Sequence, residues 1–165
     1  MKDIINEKIN EILYANLMRN YPDYVLILDL DGRIIEVSNN FFVLFAEKSA
    51  EIFKGTKLID YIIEKDKITF LNQLNKIREN KFIKMEEFIF LKKDGASFIG
   101  ELSLSIIQGK KGTLDFLLGI MRDITDQKMA EKLVIESELR FRRMIESLPA
   151  IAVQGYDEER RVIYW

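Results

Sequence analysis

Between residues 3 and 19 the apolar side chains Ile5, Ile9, Ile12, Leu13 and Leu17 recur at helical spacing, which predicts an amphipathic helix with one greasy stripe. Pro22, in the run NYPD, ends it, because its ring fixes its own φ and restricts the residue before it. Two β-branched runs, YVLILD and RIIEVS, then flank Asp29-Leu30-Asp31-Gly32 and predict a hairpin. From Ser38 to Leu58 the spacing becomes irregular and helical, with Phe41, Phe42, Leu44 and Phe45 close together and Ile52 and Phe53 ahead of Gly55. Two short helices are expected there. Residues 65–79 predict a longer helix in which Ile68, Leu71 and Leu74 share a face with Phe70 or Ile77. Three strands close the pattern, at 84–93, 97–108 and 113–123, separated by Asp94-Gly95 and by Gly109-Lys110-Lys111-Gly112.

Strands gathered around a run of helices imply an α+β fold, an antiparallel sheet with helices on one side. In the middle strand Phe98, Leu102, Leu104 and Ile106 alternate with Ile99, Glu101, Ser103 and Ser105, so one face is largely wet. The last strand is apolar on both faces: Leu114, Phe116, Leu118 and Ile120 point one way, Leu117 and Met121 the other. Its outer face needs cover, and the amphipathic first helix or a second copy of the chain is the natural candidate.

Composition narrows the chemistry. With 165 residues and 48% apolar content the chain fills one ordinary core with extensions. A net charge of −2, with 25 basic residues scattered among 27 acidic ones, leaves no electrostatic footprint for nucleic acid. No apolar run reaches the ~18 residues of a membrane span, and MKDIINEKIN lacks the apolar stretch of a signal peptide; a cytoplasmic location is expected. The chain has no Cys and no His. Disulfides, thiol nucleophiles, imidazole catalysis and His- or Cys-ligated metals are therefore excluded from it.

The run GIMRDITDQK joins the last strand to a charged helix without a loop. Asp123 and Thr125 are good N-cap residues, and Asp126 falls in the first turn, where a negative charge suits the helix dipole. Beyond them Ala130, Val134, Ser137, Phe141, Met144 and Leu148 are spaced as the seam of a coiled coil. One helix from Thr125 to Ser147 would run on the order of 35 Å.

With KKDGASF at 92–98 and GIMRDITDQKMAE at 119–131, residues 20 to about 128 resemble a PAS domain of the kind found in sensor kinases and related signalling proteins. The resemblance implies a five-stranded antiparallel sheet with helices on one face, an N-terminal amphipathic helix over 1–19, the PAS domain over 20–124 and a coiled-coil signalling helix over 125–148. It also implies that the Asp-x-Thr links sensor to effector, which makes Met121, Asp123 and Thr125 the relay residues. Such domains hold ligands between sheet and helices, so Phe41, Phe45, Phe70, Leu74, Phe88, Phe98, Leu102, Phe116 and Leu118 are the pocket candidates, with Ser103, Ser105, Thr69, Asn72 and Arg122 as polar guesses. The same aromatics read more simply as a filled core. A homodimer is expected, paired through Ile5, Ile9, Ile12, Ala130, Val134, Phe141 and Met144. Ser38 stands where the family commonly has Asn, and Ala46 where a Gly usually closes the next helix.

The family's cofactors divide by attachment residue. Without His or Cys there is no His-ligated haem and no Cys-linked flavin or chromophore; the identity of any small-molecule ligand stays open. SELRFRRMIESLPAIAVQGYDEERRVIYW resembles the first helix and strands of a second PAS domain, so 149–165 read as its truncated start in a longer tandem protein. By resemblance the parent is a histidine kinase, with kinase chemistry and output domain lying outside this chain, which is itself not an enzyme. A ligand-free dimerisation module is the alternative. LILDLDGR also resembles the nucleophile strand of haloacid dehalogenase-like phosphatases, with Asp29 as nucleophile and Asp31 as general acid beside magnesium; that chemistry needs a parallel sheet, and a second strand follows here at once.

Overall fold

The computed structural model describes residues 2–80, 82–108, 115–147 and 155–164. The chain forms two compact units, residues 1–125 and 126–165. In the first, α1 (Lys2–Asn20) leads into β1 (Tyr24–Leu28) and β2 (Ile34–Val37). Asp29 Oδ1 accepts from the backbone N–H groups of Asp31 at 2.9 Å and Arg33 at 2.8 Å, while Gly32 takes φ 79°. The Asp side chain thus builds the turn and glycine supplies the left-handed residue within it. Single turns follow: α2 (Phe41–Leu44) and 3-10 turns at Ala50–Phe53 and Leu58–Tyr61. Then come α3 (Glu64–Asn80), β3 (Phe82–Leu91), β4 (Ser97–Ile107) and β5 (Phe116–Asp123).

The strands form a five-stranded sheet of order β2-β1-β5-β4-β3 in which every neighbour is antiparallel. The parallel layer that the phosphatase reading requires is not what β1 belongs to, and Asp29 is a turn residue. Register defines two faces. Leu26 opposite Gly119, Gly119 opposite Leu104, and Met121 opposite Leu102 point inward, towards the helical layer. Ile27 opposite Leu118, Leu118 opposite Ser105, and Ile120 opposite Ser103 point outward. Gly100 and Gly119 sit on the inner face because nothing larger fits: a Cβ on Gly100 would lie 2.6 Å from the Phe90 ring, and one on Gly119 2.6 Å from Leu26 Cγ.

Two expected faces are corrected. In α3 the buried stripe is Phe70, Leu74 and Ile77, whereas Ile68 and Leu71 are 71% and 46% exposed. Spacings of four and three hold the first three on one side, and that stripe carries the aromatic volume the core uses. In α1, Ile9, Ile12 and Leu13 face solvent, at 48%, 54% and 61% exposure, instead of covering the sheet. The helix is attached by its other side: Met18 is buried, its carbonyl accepts from the Asn39 N–H at 3.1 Å, and the Tyr14 hydroxyl donates to Glu36 of β2. Apolar residues on two sides make α1 bifacial, which a search for a single stripe does not reveal.

The second unit holds most of α4 (Thr125–Glu146) and a hairpin of β6 (Gly155–Tyr156) and β7 (Val162–Tyr164). That hairpin repeats two hydrogen bonds of the first. Asp157 N–H donates to the Arg161 carbonyl at 3.0 Å and Asp157 Oδ1 accepts from Arg161 N–H at 2.8 Å, as Asp29 does with Arg33 at 2.9 and 2.8 Å. Arg160 takes φ 62° at the position of Gly32.

Candidate functional site

The inner layer is built around one side chain. The single turn of α2 and its C-cap place Phe41 and Phe45 four residues apart, and Phe45 meets Phe41 at 4.9 Å, Phe98 at 5.2 Å, Tyr61 at 5.4 Å, Phe53 at 5.5 Å and Phe90 at 6.1 Å between centroids. Most of these pairs are edge-to-face, the arrangement the ring quadrupole favours. Phe70 meets Phe88 at 5.7 Å in the same way. Phe41, Phe45, Phe70, Leu74, Phe88, Phe98 and Leu102 all lie in one cluster, none more than 7% exposed. The structure therefore brings these pocket candidates together, and it fills the space between them with rings.

Phe116 and Leu118 do not join them. Both are half-buried on the outer face, because β5 alternates and its inward residues are Leu117, Gly119 and Met121. The polar guesses are also outside: Ser103 and Ser105 belong to the outer face, and Thr69, Asn72 and Arg122 are exposed. Among the described residues the buried polar side chain is Ser38, which accepts from Val25 N–H at 3.1 Å and donates to Asn40 Oδ1 at 2.8 Å. Ser38 with Asn40 thus secures the end of β2 where the family commonly uses Asn. Ala46 takes φ 56°, the left-handed conformation that glycine would adopt without strain. Beside the aromatic cluster an open cleft of about 190 Å³ is lined by Phe45, Tyr61, Leu91 and Lys92 among others. A second, of about 240 Å³, lies between Leu30, Arg33, Lys57 and Leu74.

The corner after β5 is the other half of the site. Met121 is fully buried on the inner face. Asp123 Oδ1 accepts from Thr125 N–H at 2.9 Å, so the Asp supports the first helical residue. Thr125 serves differently from its expected capping role: its hydroxyl accepts from the Ile99 N–H at 2.9 Å, while the Ile99 carbonyl accepts from Ile124 N–H at 2.9 Å. Both backbone groups of Ile99 are thereby spent on holding the start of α4 to β4. Ile99 carries no side-chain signal, so sequence reading passed over it.

Two polar pairs on the outer side were also missed. Arg122 donates to Asp23 with two prongs, Nε to Oδ1 at 2.8 Å and Nη2 to Oδ2 at 2.7 Å. These hydrogen bonds, and then the charge of Asp23, hold the guanidinium above its usual pKa. Tyr14, partly desolvated and bonded to Glu36, is pushed up to about 12, with desolvation the larger cause. Tyr24 is raised as well, by burial and then by the charge of Asp123. Ninety-nine residues separate Asp23 from Arg122, beyond the reach of any local motif.

The proposed pairing residues are open. On α4, Val134, Phe141 and Met144 are 59%, 57% and 56% exposed, and Ala130 is exposed too. Ile9 and Ile12 are likewise exposed, as above; the Ile5 side chain, Leu148 and the 109–112 turn lie outside the described residues. Among the described residues no cluster of acidic side chains is placed to hold a metal, and no helix is long and apolar enough to cross a membrane.

A sheet of this order with its helices on one face and an Asp-x-Thr corner at its end defines a class, and the PAS domain family matches residues 22–126. The chain belongs to that family. It is 28% identical over 167 residues to sporulation kinase E of Bacillus subtilis, an alignment that takes in 95% of this chain and 22% of that protein. The chain thus spans about a fifth of the length of this relative. In structure it resembles the PAS domain of a Colwellia psychrerythraea protein, with TM-score 0.61 and 23% identity over 69% of this chain and 96% of that one. It also resembles a domain of a sensory box sensor histidine kinase/response regulator from Geobacter sulfurreducens, with TM-score 0.58 and 20% identity over 69% and 94%.

Proposed function

We propose that this chain is a relay PAS module of a signal-transduction protein, passing the packing state of a dimer into α4. The observation that carries this reading is the corner: Asp123 of β5, Ile99 of β4 and the residues Ile124 and Thr125 at the start of α4 are joined by three hydrogen bonds of 2.9 Å, so a displacement of β5 moves the helix start. The ring-filled interior supports relay over ligand sensing, because among the described residues no buried polar side-chain atom is left without a partner to orient a small molecule. Pairing with a second copy would bury the stripe Ala130, Val134, Phe141 and Met144 along α4 and the stripe Ile9, Ile12 and Leu13 along α1. The stimulus must then distinguish two packings, since tight association alone shifts no equilibrium.

The likeness to sporulation kinase E makes a histidine kinase the favoured parent, with kinase chemistry and output domain elsewhere in it. The repeated Asp-to-Arg hairpin supports residues 149–165 as the opening of a second PAS domain, with α4 as its leading helix. Mass spectrometry under non-denaturing conditions tests the reading. A dimer without a retained small molecule is expected; a monomer carrying a stoichiometric ligand would overturn it in favour of a sensor.

A further inference from the structure

The antiparallel register pairs the first residue of β1, Tyr24, with Met121 near the end of β5. The residue before one is Asp23 and the residue after the other is Arg122, so the chain enters and leaves the sheet one ladder rung apart. The two-pronged bond of 2.8 and 2.7 Å closes that rung. Exposed ion pairs as a rule contribute little, but two parallel charge-assisted bonds on a carboxylate only 14% exposed are the exception. Pro22 fixes the backbone just before Asp23, and Arg122 has Asp123, the support of the α4 start, as its neighbour.

We propose that the Asp23–Arg122 pair is a positioning lock that carries displacement of α1 directly to the start of α4, without passing through the aromatic core. The inference deepens the relay reading and rests on it. The other attachments of α1, Tyr14 to Glu36 and Met18 to Asn39, reach β2 and the turn after it, on the far side of β1 from β5. The lock alone among these three ties α1 to the exit strand. Lysine would keep the charge and lose the fork, so Arg122→Lys should restore only part of the effect.

Amide hydrogen exchange tests this in the 165-residue chain. Arg122→Gln is expected to speed exchange of the Ile124 and Thr125 amides about ten-fold, leaving Leu102 and Leu104 in β4 unchanged. Tyr14→Phe, which frees α1 from β2, is expected to speed the same two amides about three-fold in the wild-type background and to add nothing in Arg122→Gln. The doubly reversed Asp23→Arg, Arg122→Asp chain should recover protection. An equal response to Tyr14→Phe in both backgrounds, no response at the corner, or acceleration spread evenly into β4 would each overturn the lock. A retained ligand in the mass spectrum would overturn the relay reading and leave these exchange ratios as they are.

Discussion

The two faces of the sheet are made of similar residues and used in opposite ways. Inward, Phe41, Phe45, Phe53 and Phe90 are at most 1% exposed, each against several other rings. Outward, Val25 opposite Ile120 is buried, but Phe116, Leu118 and Ile120 are left half-buried. What separates them is packing, since the inner rings interlock while the outer residues keep part of their surface open.

Substitution breaks that comparison most strongly at its centre. Phe45→Ala is expected to cost about 3–5 kcal/mol, enough to unfold the first unit in a urea titration, because five rings lose a common partner. Leu118→Ser, a smaller apolar loss on the outer face, should cost about 1 kcal/mol or less by the same titration. Equal destabilisation by the two would erase the distinction between the faces. Next is Gly100→Ala, an added methyl at 2.6 and 2.7 Å from the Phe90 ring and 3.2 Å from that of Phe98. Overpacking there should cost about 1–3 kcal/mol by the same titration, whereas a cost near zero would mean the rings have room to move.

Legibility followed the range of the interaction. The strands, the Asp29 turn and the Asp123 corner rest on alternation or on side chains bonding their own near neighbours, and each could be read from a few consecutive letters. The faces of α1 and α3 could not, because both helices carry apolar residues on two sides and only the tertiary partner decides which is buried. Phe116 and Leu118 were placed in the pocket by their chemistry, although strand alternation had already set them opposite Met121. Arg122 with Asp23 and Thr125 with Ile99 depend on ladder register, which fixes partners 99 and 26 residues apart. Sequence patterns specify that a β5 exists, but not which atom of β4 its exit corner will meet.

A smaller effect, of opposite sign, is expected at an exposed residue just after α2. Ala46 holds φ 56° with a Cβ, and an L-residue in that region is strained by about 1–2 kcal/mol relative to glycine. Ala46→Gly should therefore raise stability by roughly 0.5–1 kcal/mol, after the greater freedom of glycine in the unfolded chain is deducted. Differential scanning calorimetry would read it as a rise in Tm. A fall would show that the freedom glycine gains in the unfolded chain outweighs the backbone strain it relieves.

The finest probe lies on the outer side, at Tyr14. Its hydroxyl is raised to about 12, by desolvation first and by Glu36 second, so the neutral form is favoured in the folded chain. The unfolded chain loses this proton near the ordinary tyrosine value of about 10. Below that pH both states hold the proton and the contribution is complete; between about 10 and 12 the unfolded state binds fewer protons, so stability falls as pH rises through the window. One tyrosine should accordingly ionise late in an absorbance titration, and Tyr14→Phe should remove that late step. Glu36→Gln should bring it only part of the way back, since desolvation is the larger cause. A full return would mean that α1 is held to β2 by Glu36 alone, with no burial of its own on the outer face.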